Sequence, residues 1–243
     1  NDLFTSYAKP FQTLLLVSSV LSFIVGSIVG LSQVRIKRLL TFSTINHVGF
    51  LLLALAVSTE ESVEGFVFYL VQYSLTNVNT FLTILAFGYI TKGILQNNSN
   101  VREFVLLDDL KGQFYKNPLL VISFSVSLFS MAGIPPLMGF FAKQMVLYSV
   151  SYNYSYVAIL AIVMSVISAS YYLKIVQLMF FQKDSAPTTL SSEGETSETG
   201  TPLITSMHSS VIAILTLMIS LYLFDSSILL NACHLLSLSL FSS

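Results

Sequence analysis

Charge is what this sequence has least of. Asp, Glu, Lys and Arg make up 9% of its 243 residues, against roughly 25% in a soluble domain. The 11 basic and 12 acidic residues leave a net charge of −1, so no global field points to nucleic acid or an acidic substrate. Cysteine is nearly missing: Cys233 stands alone. That excludes an internal disulfide and a cysteine-ligated cluster, and leaves a small buried apolar side chain as its simplest role. The three histidines, His47, His208 and His234, are too scattered to suggest a metal site. His208 and His234 lie near helix ends and carry no assigned role. There is no phosphate loop, no haem-type histidine pair and no nucleophile triad, so energy for any transport must come from elsewhere. Direct repeats are not visible. The first residues, NDLFTSYAKPFQ, lack an initiator methionine, a basic n-region and a signal-type cleavage site. The expectation is the later part of a longer polypeptide, a processed product or a split-gene product, and the sequence does not choose among them.

What is there is apolar: 54% of residues are hydrophobic and the mean hydropathy is +0.77. This composition reads as an all-α polytopic membrane protein. A bilayer span needs about 20 mainly apolar residues, and six candidates follow: 11–31, 39–57, 65–90, 118–149, 155–181 and 204–224. A seventh stretch, 227–241, is short and rich in Ser and Leu, and reads as a terminal interfacial or packed segment. Of the basic residues, Arg35, Lys37 and Arg38 fall in the first loop, Lys92, Arg102, Lys111 and Lys116 in the third, and Lys183 in the fifth. The second loop holds Glu60, Glu61 and Glu64 without a base, and the fourth holds no charge. By the positive-inside rule, loops one, three and five face the matrix or cytoplasm and both termini lie outside. The expected organisation is an outer-side segment (1–10), a five-helix unit (11–181), a flexible polar loop (182–203) and a final helix with a C-terminal segment (204–243). Within the third loop, VREFVLLDDLKGQF reads as a short amphipathic segment on the inner surface. Gly26 and Gly30 form a small-xxx-small pair, most simply a close helix contact.

Polar residues gather at one depth. His47 sits beside the middle of the second span. Gln72, Tyr73, Ser74, Thr76, Asn77, Asn79 and Thr80 surround the middle of the third, and Ser165, Ser168 and Ser170 that of the fifth. The fourth would run roughly 48 Å if fully helical at about 1.5 Å per residue, past a hydrocarbon core of about 30 Å. Its centre is GIPP, with Gly133, Pro135 and Pro136. Proline cannot donate the helical hydrogen bond, so a helix break is expected where the bilayer is driest. Lys143 follows it by two turns. Broken helices at the midplane recur in ion-handling membrane proteins. An imidazole titrates near neutrality and burial disfavours a charged lysine, so His47 and Lys143 are both suited to relay protons. Other readings stay open. Lys143 and Lys174 could snorkel to an interface, His47 could be a packing residue, and the Asn/Thr cluster could be interhelical glue.

GLSQVRIKRLLTFSTINHVGFLLLAL resembles the G-x-x-Q-x-x-x-K-R-x-L-A-Y-S-S-I-x-H-x-G segment of the subunit 2 family of respiratory NADH:ubiquinone oxidoreductase, complex I. MAGIPPLMGFFAKQMVL resembles that family's G-I/L-P-P-L-x-G-F-x-x-K signature. SASYYLKIVQLMFF is similar to its Y-Y-L-R segment, with lysine where arginine is frequent, and DDLKG resembles its D-L-x-G element. The resemblance runs from about residue 11 to 181 and more weakly to the C-terminus. It implies the antiporter-like fold: two inverted five-helix repeats, each with a broken helix and a buried lysine or glutamate, in a membrane arm that moves protons. By position it makes Lys143 the broken-helix lysine of the second repeat, His47 a histidine of its hydrophilic axis, and Lys174 an electrostatic neighbour. Tyr73, Thr76, Asn77 and Asn79 would support them.

The resemblance further implies a subunit of a proton-translocating NADH:ubiquinone reductase that itself carries no redox chemistry, cofactor or metal. Flavin, iron–sulfur clusters and ubiquinone would belong to other subunits. The implied partners are the other membrane-arm subunits, antiporter-like neighbours among them, membrane lipids, and a separate or missing N-terminal half with the first repeat; no nucleic acid is implied. The mitochondrial inner membrane is the implied location. A subunit of a multi-subunit cation/proton antiporter would share the fold, and a packing scaffold is a third reading.

Overall fold

The computed structural model describes residues 2–95, 106–182, 206–222 and 226–242. The polar loop expected over 182–203 therefore lies outside the described residues from 183 onward, as do Arg102 and Lys183. The described chain runs α1 (Asp2–Ile24), a π-helical turn (Val25–Val29), α2 (Ile36–Val57), α3 (Glu60–Leu95) and a 3-10 turn (Leu107–Leu110). There follow α4 (Gln113–Lys116), α5 (Pro118–Ala132), α6 (Met138–Ser151), α7 (Ser155–Phe181), α8 (Ser206–Leu221) and α9 (Ser227–Ser242). Among the described residues the one β-type pairing is an isolated bridge between Arg35 and Leu106.

Lys9–Val29, Ile36–Val57 and Ser155–Phe181 are each long and apolar enough to cross a bilayer. α3 has the length, 36 residues, but a polar middle. α5 and α6, of 15 and 14 residues, are each short of the roughly 20 that a span needs; they are the two halves of the expected fourth helix. α1 begins at Asp2 and runs on through Pro10, so the segment expected over 1–10 is helical from its second residue.

Local sequence explains the ends. At the start of α3, the Thr59 amide donates to Ser62 Oγ (2.8 Å) and the Ser62 amide to Thr59 Oγ1 (3.3 Å). Glu60 and Glu61 complement the positive end of the helix dipole. The glutamates that read as loop thus open a helix. Pro118 stands at the first position of α5, where its missing N–H costs nothing. Gly133 ends α5 in the left-handed region (φ 84°), its amide donating to the Phe129 and Ser130 carbonyls.

The described part of the third-loop segment is two-faced, with Leu106 and Asp108 exposed and Leu107 and Leu110 turned inward. Leu106 bridges Arg35, the Leu107 amide donates to the Val34 carbonyl (3.0 Å), and Leu107 and Leu110 are buried. Three residues apart in a 3-10 turn, the two leucines share a face, and burying both in the end of the bundle outweighs exposing them. Gly26 does make the close contact expected of it, inside the π-helical turn: a Cβ there would meet the Asn46 amide nitrogen of α2 at 2.6 Å.

Two apolar cores pack at different levels. One joins Ile36, Leu39 and Leu40 of α2 to the end of α3, α5 and the second half of α7. The other joins Phe50, Leu53 and Val57 of α2 to Phe68 and Tyr69 of α3, to α6 and to the start of α7. Along α2 and α3 the buried polar side chains fall between the two cores, with Ser43, Asn46 and His47 on α2 and Gln72, Thr76, Asn79 and Thr80 on α3, while Ser123, Ser127 and Ser130 are buried among the first-core residues of α5. Of the residues expected at one depth, His47, Gln72, Thr76, Asn79, Thr80 and Ser168 are buried, whereas Ser74 and Ser170 are exposed and bond to carbonyls of their own helices.

Candidate functional site: a lysine at a helix break

The break spans residues 133–137, between the end of α5 and the start of α6. A cis peptide bond joins Pro135 and Pro136, and both prolines are exposed on this chain's outer face. Ending α5 there frees the last carbonyls of the helix. Lys143 takes one of them: its Nζ donates to the Ala132 carbonyl at 2.9 Å. The side chain is 7% exposed, so it turns back towards the break instead of snorkelling outward. A Cβ at Gly133 would sit 2.9 Å from Lys143 Cδ and 3.3 Å from Nζ; the absent side chain makes room for the lysine. The other side of the break is held by Ser130, whose Oγ accepts from the Gly139 amide (3.2 Å) and from Gln72 Nε2 (3.3 Å). α3, α5 and α6 are thereby pinned at one point.

His47 is 1% exposed and bonded through both ring nitrogens. Nδ1 lies 2.7 Å from the Tyr69 hydroxyl, and Nε2 lies 3.2 Å from the Tyr172 hydroxyl. Tyr172 continues to Ser43 by a short hydrogen bond. A neutral imidazole donates from one nitrogen and accepts at the other. Ser43, Tyr172, His47 and Tyr69 thus form a continuous hydrogen-bonded chain across α2, α7 and α3. The Tyr73 ring stacks on His47, with centroids 4.8 Å apart. Its hydroxyl donates to Thr44 Oγ1 (2.9 Å) and accepts from Asn77 Nδ2 (3.3 Å).

The structure brings Gly133 and Lys143 together, and separately His47, Tyr73 and Asn77. Thr76 caps its own helix carbonyls beside Gln72. Asn79 is interhelical glue: its Nδ2 donates to Ser127 (2.8 Å), Thr216 (3.2 Å) and Ser123 (3.4 Å), tying α3 to α5 and α8. Lys174 is exposed and is not brought to either group. Tyr69, Tyr172, Ser43, Ser130 and Phe50 are contacts that sequence reasoning passed over. Ser43 had a usable signal, one turn before His47 on the same helix face. Among the described residues, no three His, Cys, Asp or Glu side chains stand close enough to hold a metal ion.

Residues 1–168 match the family described as "NADH:quinone oxidoreductase/Mrp antiporter, TM". The chain is 49% identical over 248 residues to NADH-ubiquinone oxidoreductase chain 2 of Rhizopus oryzae, covering 95% of this chain and 47% of that protein. It is 40% identical over 176 residues to NADH-quinone oxidoreductase subunit N of Hydrogenovibrio crunogenus, covering 72% of this chain and 35% of that one. Among solved structures it is similar to a chain of respiratory complex I from Thermus thermophilus, with a TM-score of 0.68 and 26% identity over 89% of this chain and 44% of the other. The chain thus spans about half, or less, of the length of these relatives.

Proposed function

The chain belongs to the NADH:quinone oxidoreductase/Mrp antiporter transmembrane family, and on that premise we propose that it serves in the membrane arm of respiratory complex I. There it helps to move protons while other subunits oxidise NADH and reduce ubiquinone. Residues 11–181 act as the second five-helix antiporter-like repeat, with 204–243 as its final helix and C-terminal segment. Flavin, iron–sulfur clusters and quinone belong to partner subunits. The first repeat comes from sequence that these 243 residues do not hold. The mitochondrial inner membrane is the proposed location, in keeping with the 49% identity to a chain 2 over nearly the whole chain.

The observation that carries the reading is Lys143, buried and facing a carbonyl released by the helix break. A lysine at that depth is expensive unless it works. In the proposed cycle Lys143 takes up and releases a proton as neighbouring charges change during quinone turnover. His47 and its hydroxyl partners hand protons towards it from the side that the loop charges put inside. Tyr73, Asn77 and Thr76 hold the imidazole and its helix in register. Gly133, Pro135 and Pro136 keep the helix open beside the ammonium.

The family description also covers Mrp antiporters, so a subunit of a cation/proton antiporter is the second reading. A native gel of mildly solubilised membranes separates the two. The complex I reading expects this chain in a large band that oxidises NADH and holds flavin and iron–sulfur proteins. A small, redox-silent assembly would overturn it and leave the antiporter.

A further inference from the structure

Lys143 and the His47 chain meet at a residue that carries no proton. Phe50 follows His47 by one turn on α2 and is fully buried. Its ring stacks on that of Tyr69, with centroids 5.5 Å apart and planes 21° apart, and lies 5.6 Å from Lys143 Nζ. Phe23 of α1 holds it edge-on at 4.7 Å. Phe23 in turn fills the space that a side chain on Gly49 would need, 2.9 Å from a Cβ there. Tyr69 is the member of the hydroxyl chain that touches this ring, and the hydrogen bond of Lys143 goes to Ala132. Phe50 therefore contacts both proton-holding groups and offers neither a donor nor an acceptor.

We propose that Phe50 is an insulating ring between His47 and Lys143, a positioning residue that keeps the two proton stores from exchanging while its packing is closed. The proposal rests on the relay reading above. Protons cross proteins along hydrogen-bonded groups and water, and a packed aromatic ring excludes both. Two stores in free contact would let protons run down the gradient without quinone turnover. A pump needs a barrier between its inward and outward sites, and Phe50 stands where that barrier belongs. The clamp from Phe23 ties the barrier to the π-turned first helix, so a small shift of α1 against α2 would free the ring.

Membrane vesicles holding the assembled complex test this under an imposed pH gradient without NADH, with a trapped pH dye as readout. Phe50→Ala lets protons enter several-fold faster than in wild type, and fewer protons then move per NADH when turnover is started. The leak disappears in the double variant Phe50→Ala/Lys143→Met, and Phe50→Leu, which keeps an apolar bulk, restores tightness. Where the alanine variant does not assemble, Phe50→Val carries the same test. A variant as tight as wild type, or a leak that survives removal of Lys143, overturns the proposal. Lys143→Met alone keeps the failures apart. Wild-type pumping there sinks the relay reading, whereas lost pumping there with a tight Phe50→Ala removes only the insulator.

Discussion

A lysine survives in hydrocarbon only where its ammonium finds an acceptor. Lys143 finds the Ala132 carbonyl, with Phe50 beside it for a weak cation–π contact. His47 is held just as firmly, between two tyrosine hydroxyls. The Tyr172 hydroxyl then serves both the imidazole and Ser43. Tyr172→Phe keeps the ring and removes that link, leaving buried partners unmatched at about 1–3 kcal/mol. It should slow proton pumping several-fold in vesicles while the complex still assembles; pumping at the wild-type rate would show that protons do not pass through Tyr172. Lys143 and His47 were legible in the sequence because a charge or an imidazole inside an apolar run is an anomaly. Tyr69, Tyr172 and Phe50 were not, because aromatic residues in a helix read as core and only folding shows where a hydroxyl points. Lys174 looked like Lys143 in composition alone; its exposure depends on helix rotation, which the near-uniform apolarity of α7 does not specify.

Among the elements, the broken helix carries the most constraint. A Cβ at Gly139 would fall 1.8 Å from the Ser130 carbonyl oxygen, a backbone atom that cannot swing away. A side chain at Gly133 would occupy a left-handed conformation costing about 1–2 kcal/mol and press on the Lys143 stem at 2.9 Å. Gly139→Ala is therefore expected to deplete the chain from assembled complex. Gly133→Ala should permit assembly but impair pumping. Blotting of native gels with a pumping assay checks both, and equal, wild-type behaviour would refute the close packing. The break could be read from its two adjacent prolines, which remove two helical donors and crowd the carbonyls of the preceding turn. The start of α3 could not, since three glutamates resemble a loop until Thr59 and Ser62 are seen capping each other. The two-faced character of the Leu107–Leu110 turn was legible in its leucine spacing, whereas its anchoring to Val34 was not, because a backbone bridge leaves no mark on side-chain pattern.

At the scale of the whole molecule, two apolar cores enclose a polar layer, and α8 is fastened to that layer through Thr216. The Ser123 and Thr216 hydroxyls are 2.5 Å apart, and Asn79 reaches both. Asn79→Ala removes the shared donor and leaves buried hydroxyls short of a partner, at about 1–3 kcal/mol. It should lower the temperature at which the solubilised complex falls apart, with little direct effect on proton movement. An unchanged dissociation temperature would count against the tie. Membrane class and helical fold were readable from composition, since a chain with 9% charge has nowhere else to be stable. How the polar residues divide between relay and glue was not readable, because Asn77 and Asn79 are equivalent in sequence and differ only in which helix each faces. Whether Lys143 is the switchable charge at the break can be measured by counting protons moved per NADH in vesicles bearing Lys143→Met. Fewer protons per NADH and slower turnover are expected, with the chain present at its normal level. Wild-type pumping with Lys143 gone would contradict that role.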